Sequence, residues 1–316
     1  MKAPIIVVAG VTASGKTALA LHLARVFNGE LVGADSVQVY RGFDIGSAKP
    51  TREELDGIPH HLIDVVDPTE SIDAAHYARL ADAAIDVIHA RGKLPIVVGG
   101  TGLWLRALVR GLVALPEPDL AVREALDARV ASEGAPALHV ELAKVDPIAA
   151  AKIHPNDALR IVRALEVFAQ TSQPLGAMRE AHALGAPRYL NHFIALDRPR
   201  DALRARIESR TRAMFAAGFV EEVAALRSTW STDARAFGSV GYREVAQHLD
   251  GKLSRQEAEL EVARSTWVYT RRQRTWFQSE PGVHVRPIVE DDDLRPYIAN
   301  VRGFLEAREM PQPNAR

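Results

Sequence analysis

The sequence predicts an α/β protein, a parallel-sheet core interrupted by a helical insertion. Three observations carry that prediction. Short apolar runs of strand length at residues 4–9, 29–34 and 94–98 alternate with helix-period stretches at 18–27, 72–90 and 103–109, the order of a parallel sheet. From 119 to about 184 no convincing strand occurs, whereas 119–133, 136–145 and 156–171 show helical periodicity. A strand pattern returns at 189–196, so the sheet resumes after the insertion. The core is therefore expected over 1–115 and 188–316 and the insertion over 116–187, with the helices of 214–278 able to pack on either part.

The first strand runs into Gly10, Val11, Thr12, Ala13, Ser14, Gly15, Lys16 and Thr17, which fit the phosphate-cradling pattern G-x-x-x-x-G-K-[ST] at every fixed position. An apolar β-branched run precedes these residues and a helical stretch follows, the context in which the pattern has meaning. Glycines at 10 and 15 let successive N–H groups converge on one concavity at a helix N-terminus, where phosphate oxygens are held. Lys16 adds a point charge, and the Thr17 hydroxyl is a candidate Mg²⁺ ligand. A chance glycine turn is the bland alternative, and the surrounding strand and helix argue against it.

The second apolar run ends in Asp35, Ser36, Val37 and Gln38. In parallel α/β sheets chemistry collects outside the carboxyl ends of strands, so Asp35 is expected beside the phosphate loop. A helix cap or an Asx turn explains an Asp-Ser pair equally well. Residues 42–50 read as a loop, and His60 and His61 precede a candidate edge strand at 62–65. No third ligand stands at a usable spacing from the histidine pair, which favours turn or surface roles over metal. The strand at 94–98 runs straight into Gly99, Gly100, Thr101 and Gly102, placing Thr101 either as a helix cap or at the same sheet edge as Asp35.

Beyond the insertion, helices are expected at 200–217, 220–227, 240–249 and 254–277, then a short strand at 283–285, a terminal helix at 292–309 and an unstructured tail at 310–316. Arg204, Arg206, Arg210 and Arg212 crowd one helix, and Arg206 and Arg210 share a face. Arg271, Arg272 and Arg274 stand among Trp267, Tyr269, Trp276 and Phe277. Arginines beside aromatics suit RNA backbones and stacked bases, but composition alone favours a solvated helix face with the aromatics in the core.

Composition narrows the classes of function. The 316 residues are 47% hydrophobic and 25% charged, ordinary for a soluble protein, and a net charge of −1 means that any polyanion is met by a local patch. With no cysteine there is no disulfide, thiolate metal site or cysteine nucleophile. No apolar run approaches membrane-spanning length, and the cytoplasm is the expected compartment. No apolar strand ends in a second Mg²⁺ carboxylate of the kind most nucleoside triphosphatases use, because the strand at 94–98 leads into glycine and Thr101. What remains is a cradle for a pyrophosphate-sized anion with Asp35 nearby, suited to displacement of diphosphate by a nucleophile whose proton goes to Asp35.

Eight ordered blocks then resemble one family: GVTASGKT (10–17), DSVQVY (35–40), DIGSAKP (44–50), PHHLID (59–64), VGGTGLWLRAL (98–108), HPNDALRIVRALEV (154–167), GYREV (241–245) and RRQRTWF (271–277). The chain resembles the tRNA dimethylallyltransferases, also called tRNA isopentenyltransferases, across about residues 5–290. Val11 stands where the family usually has proline, and Trp104 where it usually has tyrosine. The resemblance implies a P-loop, nucleoside-kinase-like core and transfer of a dimethylallyl group from dimethylallyl diphosphate to N6 of the adenosine 3′ of the anticodon, with Mg²⁺. It implies that Asp35 is the general base, that 12–17 hold the diphosphate, that Thr17 binds Mg²⁺, that Thr101 touches the target nucleotide and that Arg210 supports the departing diphosphate. It further implies tRNA contacts at Asp35, Ser36, Val37, Gln38, Thr101, Arg123, Leu159, Arg160, Ile161, Val162 and Arg163. The implied partner is the anticodon stem-loop of tRNA, with the target base flipped into a channel, and a monomer is the simplest expectation. A phosphate-loop small-molecule kinase and a non-enzymatic RNA-binding adaptor are the alternatives.

Overall fold

Six strands form one sheet in the order β3-β2-β4-β1-β5-β6, and every neighbouring pair is parallel: β1 (Ile5–Gly10), β2 (Gly29–Ala34), β3 (His60–His61), β4 (Leu94–Gly99), β5 (Asn191–Asp197) and β6 (Val285–Pro287). The structure is a computed structural model that describes residues 4–183, 186–287 and 293–309. Helices α1 (Lys16–Val26), α2 (Arg52–Leu55), α3 (Ala74–Ala90) and α4 (Gly102–Arg110) connect the first strands. The insertion folds as α5 (Leu120–Glu133), α6 (Ala135–Val145), α7 (Pro147–Lys152), α8 (Ala158–Thr171) and α9 (Leu175–Ala183). Beyond β5 come α10 (Arg200–Ala216), α11 (Phe219–Thr229), α12 (Tyr242–Leu249), α13 (Arg255–Ser279) and α14 (Arg295–Glu309).

The chain divides into two compact units, Met1–Val109 with Arg188–Arg316, and Arg110–Pro187. In the first unit the central strands are buried on both faces, which is why they read as continuous apolar runs. Alternation along β1 separates the two sides. Ile5, Val7 and Ala9 pack with residues of α3, α4, α11, α12 and α13, whereas Ile6 and Val8 pack with α1 and α14. Trp104 lies in the first of these cores, stacked on Tyr77 with ring centroids 4.4 Å apart, so the exchange of tyrosine for tryptophan is absorbed by packing.

The second unit has its own core around Leu138, Leu142, Ile161 and Leu165. Asp146 is fully buried there. One carboxylate oxygen caps α7 through the Ala149 N–H at 2.9 Å, and the other accepts the Gly176 N–H at 2.8 Å, fixing the start of α9. Short helices α2, α7 and α9 were not expected from periodicity; each has too few residues to show a stripe.

Three expectations are corrected. The edge strand is His60–His61 itself, and residues 62–65 are a turn with Leu62 and Asp64 at φ 63° and 55°. That turn hydrogen-bonds back to 38–39 through the N–H groups of Asp64 and Val65, and Lys49 reaches both Asp44 and Asp64. His61 is therefore not a surface residue of a turn but a partner of buried Glu30, and His60 is buried enough that its pKa falls to about 4, with the His61 charge adding to the effect. The last strand lies two residues later than expected, at Val285–Pro287, and the tail at 310–316 and the expected helix start at Asp292 lie outside the described residues. Among the described residues no helix is long and apolar enough to cross a membrane.

Candidate active site

Strand register brings the chemistry to one edge. Ala34 pairs with Gly99, Gly99 with Ala9, and Gly10 with Leu196, so the carboxyl ends of β2, β4, β1 and β5 stand in a row. Asp35, Thr101, the phosphate loop and Arg198 follow these four ends directly. Gly99 is required by the packing, since a side-chain carbon there would collide with the Ala34 carbonyl of the adjacent strand.

In the phosphate loop Ala13 and Gly15 adopt φ 65° and 98°. Among the described residues the N–H groups of Ala13, Gly15, Lys16 and Thr17 donate to no protein atom, the arrangement of an anion nest at the start of α1. The other amides are committed: Val11 donates to Leu196, Ser14 to Val11, and Thr12 to the Gln273 side chain at 2.8 Å. The Val11 side chain packs with Leu203 and Ile207 of α10, and Ser14 is fully buried. Within the loop these two side chains are thus committed to the protein interior. Arg198 donates to the Ser14 carbonyl at 2.9 Å and Arg206 to the Ala13 carbonyl at 3.1 Å, which holds two loop carbonyl dipoles on cations.

Burial pushes the Lys16 ammonium down to a pKa of about 8; Asp35 opposes that shift and Arg210 adds to it. Burial also lowers the Arg210 guanidinium, with Asp35 again opposing. Lys16, Asp35 and Arg210 therefore share one electrostatic neighbourhood. Asp35 Oδ1 accepts the N–H groups of Val37 at 2.9 Å and Gln38 at 3.3 Å, an Asx turn, and its Oδ2 accepts no hydrogen bond among the described residues. The turn reading of this residue is met by Oδ1. Thr101 does not cap α4; its hydroxyl accepts the Ser36 N–H at 3.0 Å.

Gln38 donates both hydrogens of its amide, to the Ser47 and Ala48 carbonyls at 3.1 Å each. The loop that offers them is anchored by Glu222, whose carboxylate accepts the N–H groups of Asp44, Ile45 and Gly46 at 3.2, 2.6 and 3.1 Å. Arg210 reaches the Ser47 carbonyl at 3.5 Å.

In the second unit, Arg123 and Arg163 converge on the buried carboxylate of Glu166 at 3.1 and 2.8 Å, and Arg163 also donates to the Pro116 carbonyl at 2.9 Å. Leu159 is 85% exposed and Arg160 is exposed. Ile161 and Val162 are buried in the unit's core, so the expectation of an unbroken tRNA-contacting stretch from 159 to 163 is corrected; helical phase turns those two inward.

Several residues at the site escaped sequence reasoning. Gln273 and Tyr269 of α13 reach the strand ends, and Arg198 and Glu222 order the loops. Of the arginines set among aromatics, Arg274 is committed to Asp197 in a two-pronged pair at 2.5 and 2.8 Å, which assigns it to structure. Among the described residues no group of three or more histidine, cysteine or acidic side chains could hold a metal ion.

The family model for IPP transferase matches residues 38–280. A tRNA dimethylallyltransferase of Anaeromyxobacter dehalogenans is 52% identical over 279 residues, 88% of this chain and 93% of that protein. The corresponding protein of Geobacter sulfurreducens is 48% identical over 283 residues, 89% of this chain and 91% of that protein. Among solved structures, a tRNA isopentenylpyrophosphate transferase of Bacillus halodurans superposes with a TM-score of 0.71 at 37% identity, covering 98% of each chain. A eukaryotic dimethylallyltransferase acting on tRNA gives 0.79 at 27% identity over 100% of this chain and 82% of that one. Matched by that family model over most of its length and about half identical to these relatives, this chain belongs to the IPP transferase family, the family of the tRNA dimethylallyltransferases.

Proposed function

We propose that this protein transfers a dimethylallyl group from dimethylallyl diphosphate to the exocyclic N6 of the adenosine 3′ of the anticodon, giving N6-dimethylallyladenosine and diphosphate. The observation that carries the reading is the division of labour within Asp35, whose Oδ1 is fixed by backbone N–H groups while Oδ2 is left for a substrate proton. The N6 lone pair is delocalised into the purine, so the amine becomes an effective nucleophile only as its proton leaves. In the proposed step the C1–O bond of the diphosphate breaks, the C1–N6 bond forms, the N6 proton passes to Asp35 Oδ2, and diphosphate departs with the bonding electron pair.

The leaving group carries the charge that the site must neutralise. The open amides of Ala13, Gly15, Lys16 and Thr17 would hold its oxygens, with Lys16 and Arg210 as the cations. The donor set suits Mg²⁺ held jointly with a diphosphate rather than in an all-protein cage, since only the Thr17 hydroxyl is offered and no acidic cluster exists among the described residues. When bound, that ion would supply further positive charge at the diphosphate oxygens. Arg123, Leu159, Arg160 and Arg163 would contact tRNA from the second unit, and Ser36, Val37, Gln38 and Thr101 from the first.

The relatives are prenyl-transfer enzymes, which gives the kinase alternative no support. Incubation with unmodified tRNA and either dimethylallyl diphosphate or ATP, followed by mass analysis of the nucleosides, tests the proposal. Prenylated adenosine with the former is expected; ATP-dependent phosphorylation without prenylation would overturn it.

A further inference from the structure

The Gln273 side chain is buried on α13 and makes two hydrogen bonds that no local contact requires. Its Oε1 accepts the Thr12 N–H at 2.8 Å, and its Nε2 donates to the Gly100 carbonyl at 2.9 Å. One partner is a donor and the other an acceptor, so only one orientation of the amide satisfies both. The fit is close: a side-chain carbon on Gly100 would collide with Nε2. Gly100 is followed by Thr101, whose hydroxyl accepts the Ser36 N–H, next to Asp35. A chain of contacts thus runs from the phosphate loop through Gln273 and Gly100 to the strand end that carries the carboxylate.

We infer that Gln273 is a positioning residue that sets the spacing between the diphosphate loop and the Thr101 loop. Displacement at carbon needs nucleophile, carbon and leaving oxygen in line, and a misplacement of about 1 Å costs on the order of a hundredfold in rate. Strand pairing fixes the backbones of β1 and β4 only as far as Gly99. Beyond it, this amide hydrogen-bonds both loops. The bond also withdraws the Thr12 N–H from the diphosphate, which leaves the cradle to the amides that follow it.

The inference rests on the prenyl-transfer reading. Transfer by the wild-type enzyme tests that reading, and the ratio of variant to wild type tests this one. Gln273→Met keeps the volume and removes both bonds; kcat is expected to fall about a hundredfold while tRNA affinity stays within about twofold. Gln273→Glu keeps an acceptor for Thr12 but sets a carboxylate against the Gly100 carbonyl. Protonated, it carries one donor and one acceptor and restores the original pair, so its activity relative to wild type should rise at least about fivefold between about pH 8 and pH 6. If Gln273→Met does not fold, Gln273→Asn, which keeps the amide but shortens its reach, should lower kcat about tenfold with tRNA affinity unchanged. Wild-type kcat in the Met variant, a loss confined to tRNA affinity, or a Glu-to-wild-type ratio that ignores pH would each overturn the inference.

Discussion

Ser36 donates its backbone N–H to the Thr101 hydroxyl at 3.0 Å, so the ends of β2 and β4 are joined by a side chain just past their last paired residues. The Thr101 hydroxyl thereby fixes the peptide that follows Asp35. Thr101→Ser keeps the hydroxyl and should retain kcat within about threefold, whereas Thr101→Ala should lower it at least about tenfold. Steady-state transfer to tRNA reads both, and equal activity in the two variants would remove the hydroxyl from the account.

Asp35→Asn separates geometry from proton transfer. Asparagine still presents Oδ1 to the Val37 and Gln38 N–H groups, so the turn persists, while the oxygen that would take a proton becomes an NH₂. Transfer is expected to fall by about a hundredfold or more with tRNA binding retained. Filter binding and single-turnover assays distinguish this from a binding defect. An adaptor without catalytic function would show no loss.

Lys16 predicts an alkaline limb. Its ammonium has a pKa of about 8, and a bound diphosphate favours the charged form and raises that value. Affinity is therefore complete below about pH 8 and declines above it, approaching tenfold per pH unit. The kcat/KM for dimethylallyl diphosphate should follow this limb, and Lys16→Ala should flatten it. An identical limb in that variant would assign the titration elsewhere.

The parts of the site legible in the sequence are those whose neighbours in space are neighbours in the chain. The phosphate loop is eight consecutive residues after a strand, and Asp35 could be placed because strand ends of a parallel sheet share an edge. Gln273 could not, since it meets Thr12 across 261 positions and nothing in a helix of alternating arginines and aromatics marks one amide as buried. The inward turn of Ile161 and Val162 was readable: both precede the apolar Leu165 at helical spacings, a signal masked by treating the stretch as one block. The sheet order was hidden because strand length and hydrophobicity are alike for all central strands.

Glu30 lies at the opposite, amino end of β2, fully buried and contacted by His61 at 2.7 Å, Arg91 at 2.9 Å and Lys93 at 3.1 Å. Burial pushes its carboxyl upward, but hydrogen bonds from His61 and Lys93, with the charges of Arg91 and Lys93, outweigh it and hold the pKa below its ordinary value. A depressed carboxyl contributes its stability in full above the unfolded-state pKa and loses it as pH falls through the folded-state value. Glu30→Gln should cost about 2 kcal/mol at neutral pH, with the deficit shrinking below the usual carboxylate range. Denaturant unfolding across that range measures it; a deficit independent of pH would contradict the assignment.

Glu166 makes a prediction whose sign opposes simple charge counting. It is buried between Arg123 and Arg163, so neutralising it releases two guanidinium groups from a fixed geometry. If positioning governs, Glu166→Gln should weaken tRNA binding about fivefold despite removing a negative charge. Binding at two salt concentrations tests this, and tighter binding would show that bulk charge prevails.

The anchoring of residues 44–46 by Glu222 bears on where the diphosphate of the proposed reaction would settle. Three successive amides converging on a carboxylate form the same kind of anion receptor as the phosphate loop, but its occupant is covalently part of the protein and is held further by the Tyr242 hydroxyl at 2.7 Å. A competing anion would have to evict an intramolecular ligand present at very high effective concentration. Self-occupancy of one receptor thus leaves the other as the address for the free substrate, and Glu222→Gln would be the change that puts a second address on the molecule.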